Sequence, residues 1–172
     1  MPLNRRKTAT ALLAAVAATG SLLASAAPAS AAPDWQCKAT KKMLSLPNKP
    51  DVAVTVDICL AFTGSSGSYR GYEAYVRKVS WDGTGFATGG KRLNDAYVQV
   101  RAEHKDRAMK STTERVDDYI NGSEAGWRGA FYGAAKYWGT KRTFTADGAL
   151  YADIADDGKG YIRYDLAGTR AV

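Results

Sequence analysis

The sequence predicts an all-β fold, an antiparallel β-sandwich or flattened barrel of about seven or eight strands. Three observations carry that reading. Apolar residues alternate at period two in several separate stretches, most clearly at Val52, Val54, Val56, Ile58, Leu60 and Phe62. Asp-Gly and Gly-rich steps punctuate the chain between these stretches. No stretch carries a strong helical period, although a short helix near 111–120 is a candidate and Trp127, Phe131, Ala134 and Trp138 also follow a helical spacing.

Taken in order, residues 1–31 read as a secretory signal peptide. Arg5, Arg6 and Lys7 form a basic start, an Ala/Leu-rich run follows over 12–23, and Ala29-Ser30-Ala31 supplies an A-x-A cleavage signal. The apolar run is shorter than the roughly 20 residues a bilayer span needs, so export and cleavage are expected rather than a membrane anchor. Residues 32–172 then form one domain. Cleavage removes three of the 24 basic side chains and none of the 17 acidic ones, which lowers the formal net charge from +7 to about +4. Such a charge is too small to mark a nucleic-acid binder.

Cys37 and Cys59 are the two cysteines of the chain, and an oxidising destination makes a disulfide their natural state. Closing that loop stabilises by roughly 3 kcal/mol in the chain-entropy model. Two Cys and one His do not complete a tetrahedral zinc site, so neither a metal nor another cofactor is expected. The 52–62 strand has a second face of Ala53, Thr55, Asp57, Cys59 and Ala61, over which the cystine should pin the N-terminal segment.

Gly64-Ser65-Ser66-Gly67 is a turn; it lacks the last glycine of a nucleophile elbow. The 68–82 strand shows Tyr72, Ala74 and Val76 in one phase and Val79 and Trp81 in the other, which suggests a bulge at Arg77-Lys78. A Gly-rich connection over 82–90 lacks the third glycine of a dinucleotide fingerprint. Ala96, Val98, Val100 and Ala102 then alternate with Tyr97, Gln99, Arg101 and Glu103, a strand with one wet face.

The 105–121 region reads two ways. Ser111-Thr112-Thr113-Glu114 fits a capping box before a helix, and Thr113, Arg115, Asp117 and Tyr119 fit the wet face of a strand. Over 127–138 the strand reading is preferred, because Gly129 and Gly133 would each cost a helix about 1 kcal/mol. That strand would share Trp127, Phe131, Ala135 and Tyr137 on one face. A strand over 140–146, a turn at Asp147-Gly148, and inward Leu150, Ala152 and Ile154 follow. Asp156-Asp157-Gly158-Lys159-Gly160 then reverses the chain into a last strand with Ile162, Tyr164 and Leu166 inward.

Catalytic motifs are scarce. His104, the single histidine, has no serine elbow or free thiol to serve. Glu73, Glu103, Glu114, Asp117 and Asp118 could supply a carboxylate pair for hydrolysis, which makes a small extracellular hydrolase the alternative function. Asp153, Asp156, Asp157 and Gly158 break the alternation of a calcium loop, and Asn121-Gly122-Ser123 is a sequon of a kind that turns produce freely.

Aromatic residues carry more promise, since ten Tyr and four Trp recur beside basic residues. Flat apolar rings with hydrogen-bonding tips suit sugar stacking and protein interfaces. The candidate binding residues are Trp127, Arg128, Tyr132, Lys136, Tyr137, Trp138, Lys141 and Arg142. A monomeric, secreted, non-catalytic domain that binds an extracellular protein or a cell-wall glycan is the expectation, with single-stranded nucleic acid a distant third.

The Ala-Ser-Ala-Ala-Pro junction at 29–33, the Trp35-x-Cys37 start, and Asp156-Asp157-Gly158-Lys159-Gly160 followed by Tyr164-x-Leu166-x-Gly168 resemble small exported β-proteins of actinomycetes. The resemblance spans both ends of the mature chain and implies export and a bacterial source. It carries over no functional residue.

Overall fold

The computed structural model describes residues 35–83, 91–129 and 131–172. The expected signal peptide and most of the Gly-rich connection lie outside the described residues. Strands β1 (Trp35–Leu44), β2 (Val52–Ser66), β3 (Tyr69–Asp82), β6 (Ala125–Gly129) and β7 (Ala134–Gly139) form one antiparallel sheet. Strands β4 (Leu93–His104), β5 (Arg107–Arg115), β8 (Thr145–Ile154) and β9 (Tyr161–Asp165) form the other, in the order β5-β4-β8-β9. Among the described residues one short helix, α1 (Asp117–Gly122), joins β5 to β6. The described residues thus form an antiparallel sandwich of nine strands with no closed barrel.

The core forms where alternate side chains of both sheets meet. Val52, Val54, Val56, Ile58 and Leu60 of β2 are fully buried, and so are Ala96, Val98, Val100 and Ala102 of β4 and Ala146, Leu150 and Ala152 of β8. Burying each Val or Leu contributes about 1.5–3 kcal/mol, so these strands anchor the fold. Ile58 pairs with Val76 and Asp57 with Lys78, leaving Arg77 as the extra residue of a bulge. That bulge returns Val79 and Trp81 to the core face beside Tyr72, Ala74 and Val76.

Cys37 and Cys59 form the disulfide, but β1 does not lie over the second face of β2. The two strands pair edge to edge, with Cys37 directly opposite Cys59 and their Cα atoms 4.1 Å apart. Asp57, Cys59 and Ala61 are nonetheless buried. Trp35 and Tyr75, register partners of Ala61 and Cys59, meet edge to face on that side, and Arg77 pairs with Asp57 at 2.5 Å.

Three expectations change along the second half of the chain. The 105–121 region is strand first and helix second: β5 ends at Arg115, the Val116 N–H donates to Ala96 O at 2.9 Å, and α1 starts at Asp117 with no side-chain cap. The capping-box glutamate, Glu114, instead accepts from the Gly133 N–H at 2.6 Å. Over 125–139 there are two strands rather than one, so Trp127 does not share a face with Ala135 and Tyr137. The break after Gly129 resets the alternation: Trp127 pairs with outward Ser80, whereas Ala135 and Tyr137 pair with inward Ala74 and Tyr72.

Asp147-Gly148 is not a turn, and 140–144 is not a strand. That segment carries the chain from one sheet to the other, after which β8 runs unbroken through Asp147-Gly148. A Cβ on Gly148 would lie 2.6 Å from the Gln99 carbonyl oxygen of β4, so glycine permits a close backbone approach here. Asp156-Asp157-Gly158 is a turn as expected, with left-handed φ at Asp156 and Gly158.

Candidate binding surface

The strands β6 and β7 both pair with β3, but at opposite ends of it. β7 lies along Arg70–Tyr75 and β6 along Lys78–Asp82, so successive short strands display separate patches on the outer face of one sheet.

At the β7 end, Lys136 stands beside Glu73 with Nζ 3.8 Å from Oε1, and Trp138 pairs with Gly71. The indole lies directly over that glycine: an added Cβ would meet its Cε3 and Cζ3 at 2.7 Å. Absence of a side chain at position 71 therefore seats the ring flat against the sheet. Thr63, Glu73, Lys136 and Trp138 border a groove of about 310 Å³, floored in part by Tyr72 and Tyr137. Trp138 remains 56% exposed. The arrangement is an apolar ring flanked by a hydroxyl, a carboxylate and an ammonium, which is the chemistry needed to stack on a sugar face and hold its hydroxyls.

At the β6 end, Trp127 is 67% exposed, and Lys78 Nζ lies 5.3 Å from its ring centroid, a cation–π contact. Arg128 reaches toward α1 instead, its guanidinium 5.2 Å from the Tyr119 ring. The partner positions Ser80 and Gly71 are nine residues apart on β3. At 3.4 Å per residue the backbone positions of Trp127 and Trp138 are therefore up to about 30 Å apart.

The remaining candidates scatter. Tyr132, between β6 and β7, is 93% exposed. Tyr137 turns inward onto buried Phe144, with ring centroids 4.6 Å apart, and its hydroxyl accepts from the Lys141 N–H at 3.2 Å. Lys141 and Arg142 line a different pocket at the end of the sandwich. The eight sequence candidates thus divide among two tryptophan patches, the exposed Tyr132 between them, the half-buried Tyr137 and a terminal pocket.

Sequence reasoning gave no binding role to Trp35, which is half exposed on the same outer face, or to Thr63 at the groove, and it named Glu73 only as a candidate hydrolytic carboxylate. It also missed a tyrosine cluster on the outer face of the other sheet. Tyr97 and Tyr151 stack at 4.9 Å, Tyr161 meets Tyr97 edge-on, and the Tyr161 hydroxyl donates to Asp95, which pushes its pKa up to about 12. Asp95 pairs in register with Asp153, two carboxylates facing one another across β4 and β8, and Arg115 holds Asp95 at 2.9 Å. Their period-two placement was visible, but the register that joins them was not.

The other candidate chemistry is absorbed by structure. Glu103 is buried against Arg101 at 2.8 Å, and burial outweighs that partner to hold its carboxyl above the usual range. Asn121 of the sequon accepts from the Arg92 and Leu93 N–H groups and donates to Leu93 O, so its amide ties α1 to β4. Cys37, Asp57 and Cys59 are the one cluster of three potential metal ligands among the described residues, and both sulfurs are consumed in the cystine. Among the described residues no helix is long and apolar enough to cross a membrane.

Fold and surface together define a disulfide-bonded antiparallel β-sandwich with tryptophans displayed on the outer face of one sheet. No family model, no curated protein and no solved structure matches the chain.

Proposed function

We propose that this is an exported, non-catalytic binding domain that engages an extended extracellular ligand, a cell-surface glycan or a protein, through the tryptophan face of its larger sheet. One observation carries the reading: Trp127 on β6, Trp138 on β7 and Tyr132 between the two are all solvent-exposed. The groove beside Trp138, with Glu73 and Lys136 at its walls, favours a saccharide there. The separation of up to about 30 Å between the two tryptophan patches favours a chain of units over a single small molecule.

Export rests on the basic and apolar leader over 1–31, and a disulfide accords with an oxidising compartment. Of the carboxylates named from sequence for a hydrolase, Glu73, Glu103, Glu114 and Asp117 each hold a structural partner, so that alternative would draw instead on Asp95 and Asp153. Those carboxylates lie on a sheet face with Asp95 already engaged by Arg115 and Tyr161, and neither lines any of the four described pockets.

The reading is tested by capturing cell-wall polysaccharide and surface proteins with the intact chain and with its Trp127→Ala and Trp138→Ala variants. Each variant should lose about tenfold in apparent affinity while unfolding at the parent temperature. Retention of full capture by both folded variants would reject this face, and turnover of a polysaccharide that Asp95→Asn abolishes would favour the hydrolase.

A further inference from the structure

A second site lies at the end of the sandwich, where the 140–144 crossover passes the β4–β5 turn. A pocket of about 550 Å³ opens there, within the range of small-ligand sites. His104, Lys105, Lys141 and Arg142 line it, against the single acid Asp106. Lys49, Arg77, Arg101, Arg115, Lys136 and Arg163 each pair with a carboxylate. Lys105, Lys141 and Arg142 form no ion pair among the described residues, so three cations gather around one cavity against a single carboxylate. Thr143 and Thr145 add hydroxyl donors to its wall.

The pocket is also where the backbone departs most from ordinary conformation. Lys105, Asp106 and Thr143 have φ of 52°, 58° and 65°, three of the five non-glycine residues with left-handed φ among the described residues. Thr143 is β-branched, and such a residue adopts this region only when its surroundings hold it there. They do so visibly. Phe144 is fully buried, stacks on Tyr72 at 4.4 Å, and exchanges backbone hydrogen bonds with Val172 at 3.0 and 3.1 Å.

His104 fixes the same residue from the other side. Its Nδ1 lies 3.2 Å from Thr143 O, and because a carbonyl can only accept, Nδ1 carries the proton and donates. The backbone at Thr143 is therefore held in place before any ligand arrives, which lowers the cost of ordering that part of the wall on binding.

We infer that this pocket binds a tetrahedral oxyanion, a phosphate or sulfate group borne on a polyol or sugar. Arg142 offers a planar fork to two oxygens, Lys105 and Lys141 supply point charges, and the threonine hydroxyls complete the set of donors. Lys141 and Arg142 lie outside the tryptophan face proposed above, and the inference does not rest on the groove beside Trp138.

The test is amide-resolved NMR titration of the folded chain with inorganic phosphate, glycerol phosphate and sulfate, with glucuronate and glycerol as controls. Saturable shifts confined to residues 104–106 and 140–145, with a Kd of about 1 mM or tighter at low salt, support the site. Lys141→Ala/Arg142→Ala should weaken it at least about tenfold, and Arg142→Gln alone gives the same reading if the double variant does not fold. Tighter binding of glycerol phosphate than of inorganic phosphate identifies an ester as the ligand; the reverse order identifies the free ion. Equal response to glucuronate, absence of saturation by about 20 mM, or an unchanged Kd in the variants would overturn the inference. A Trp138→Ala chain should titrate with phosphate as the parent does, so loss of glycan capture and loss of anion binding are separate results.

Discussion

At the scale of single residues, side chains near the surface are held by very different amounts. Asn121 makes three hydrogen bonds to the backbone of Arg92 and Leu93, next to an arginine that is itself fully buried and donates to Ile120 O and Ser123 O at 2.8 Å. Asn121→Ala leaves two backbone N–H groups unpaired and should destabilise by about 1–3 kcal/mol in urea unfolding. Tyr75 is the opposite case. Its hydroxyl has no hydrogen-bond partner, and burial pushes it up to about 12, opposed in part by Arg77. A tyrosine in the unfolded chain titrates near 10, so the folded-state value is the higher one. The stability linked to Tyr75 is therefore complete below pH 10 and is lost as pH rises through about 12. Tyr75→Phe should keep or slightly raise stability at pH 7, since it removes a buried unpaired hydroxyl, and should reduce the alkaline loss between pH 10 and 12, as read from unfolding midpoints across that range.

At the scale of elements, what decided each strand was whether its pattern was local. β2 was legible because six apolar residues alternate without interruption, and β4 because its two faces differ cleanly. The boundary between β5 and α1 was not, since the same residues fit a strand or a helix and a bond from Val116 to Ala96 of another strand decides it. Asp147-Gly148 carries a turn signal in its own residues, yet the glycine answers to a carbonyl of β4. Gly148→Ala should therefore cost about 1–3 kcal/mol in thermal or urea unfolding, as crowding in a packed ladder does. An alanine tolerated there without loss would show that the strand is not continuous.

At the scale of the whole molecule, two sheets bury one core between them and leave their outer faces to differ. The tryptophans of the larger sheet were recognisable in the sequence as aromatic residues beside basic ones. Their division into patches up to about 30 Å apart was not, because it follows from β6 and β7 sharing a single partner strand. Glu73, Thr63 and Trp35 join the surface for the same reason: strand order, which no local pattern encodes, brings them there. A face built this way should hold a long ligand at both ends, and the measurement that tests this most directly is co-sedimentation of the folded chain with cell-wall polysaccharide. The Trp127→Ala/Trp138→Ala double variant should remain in the supernatant, while each single variant binds with an intermediate affinity, about tenfold below the parent. A folded double variant that sediments as fully as the parent would contradict the account.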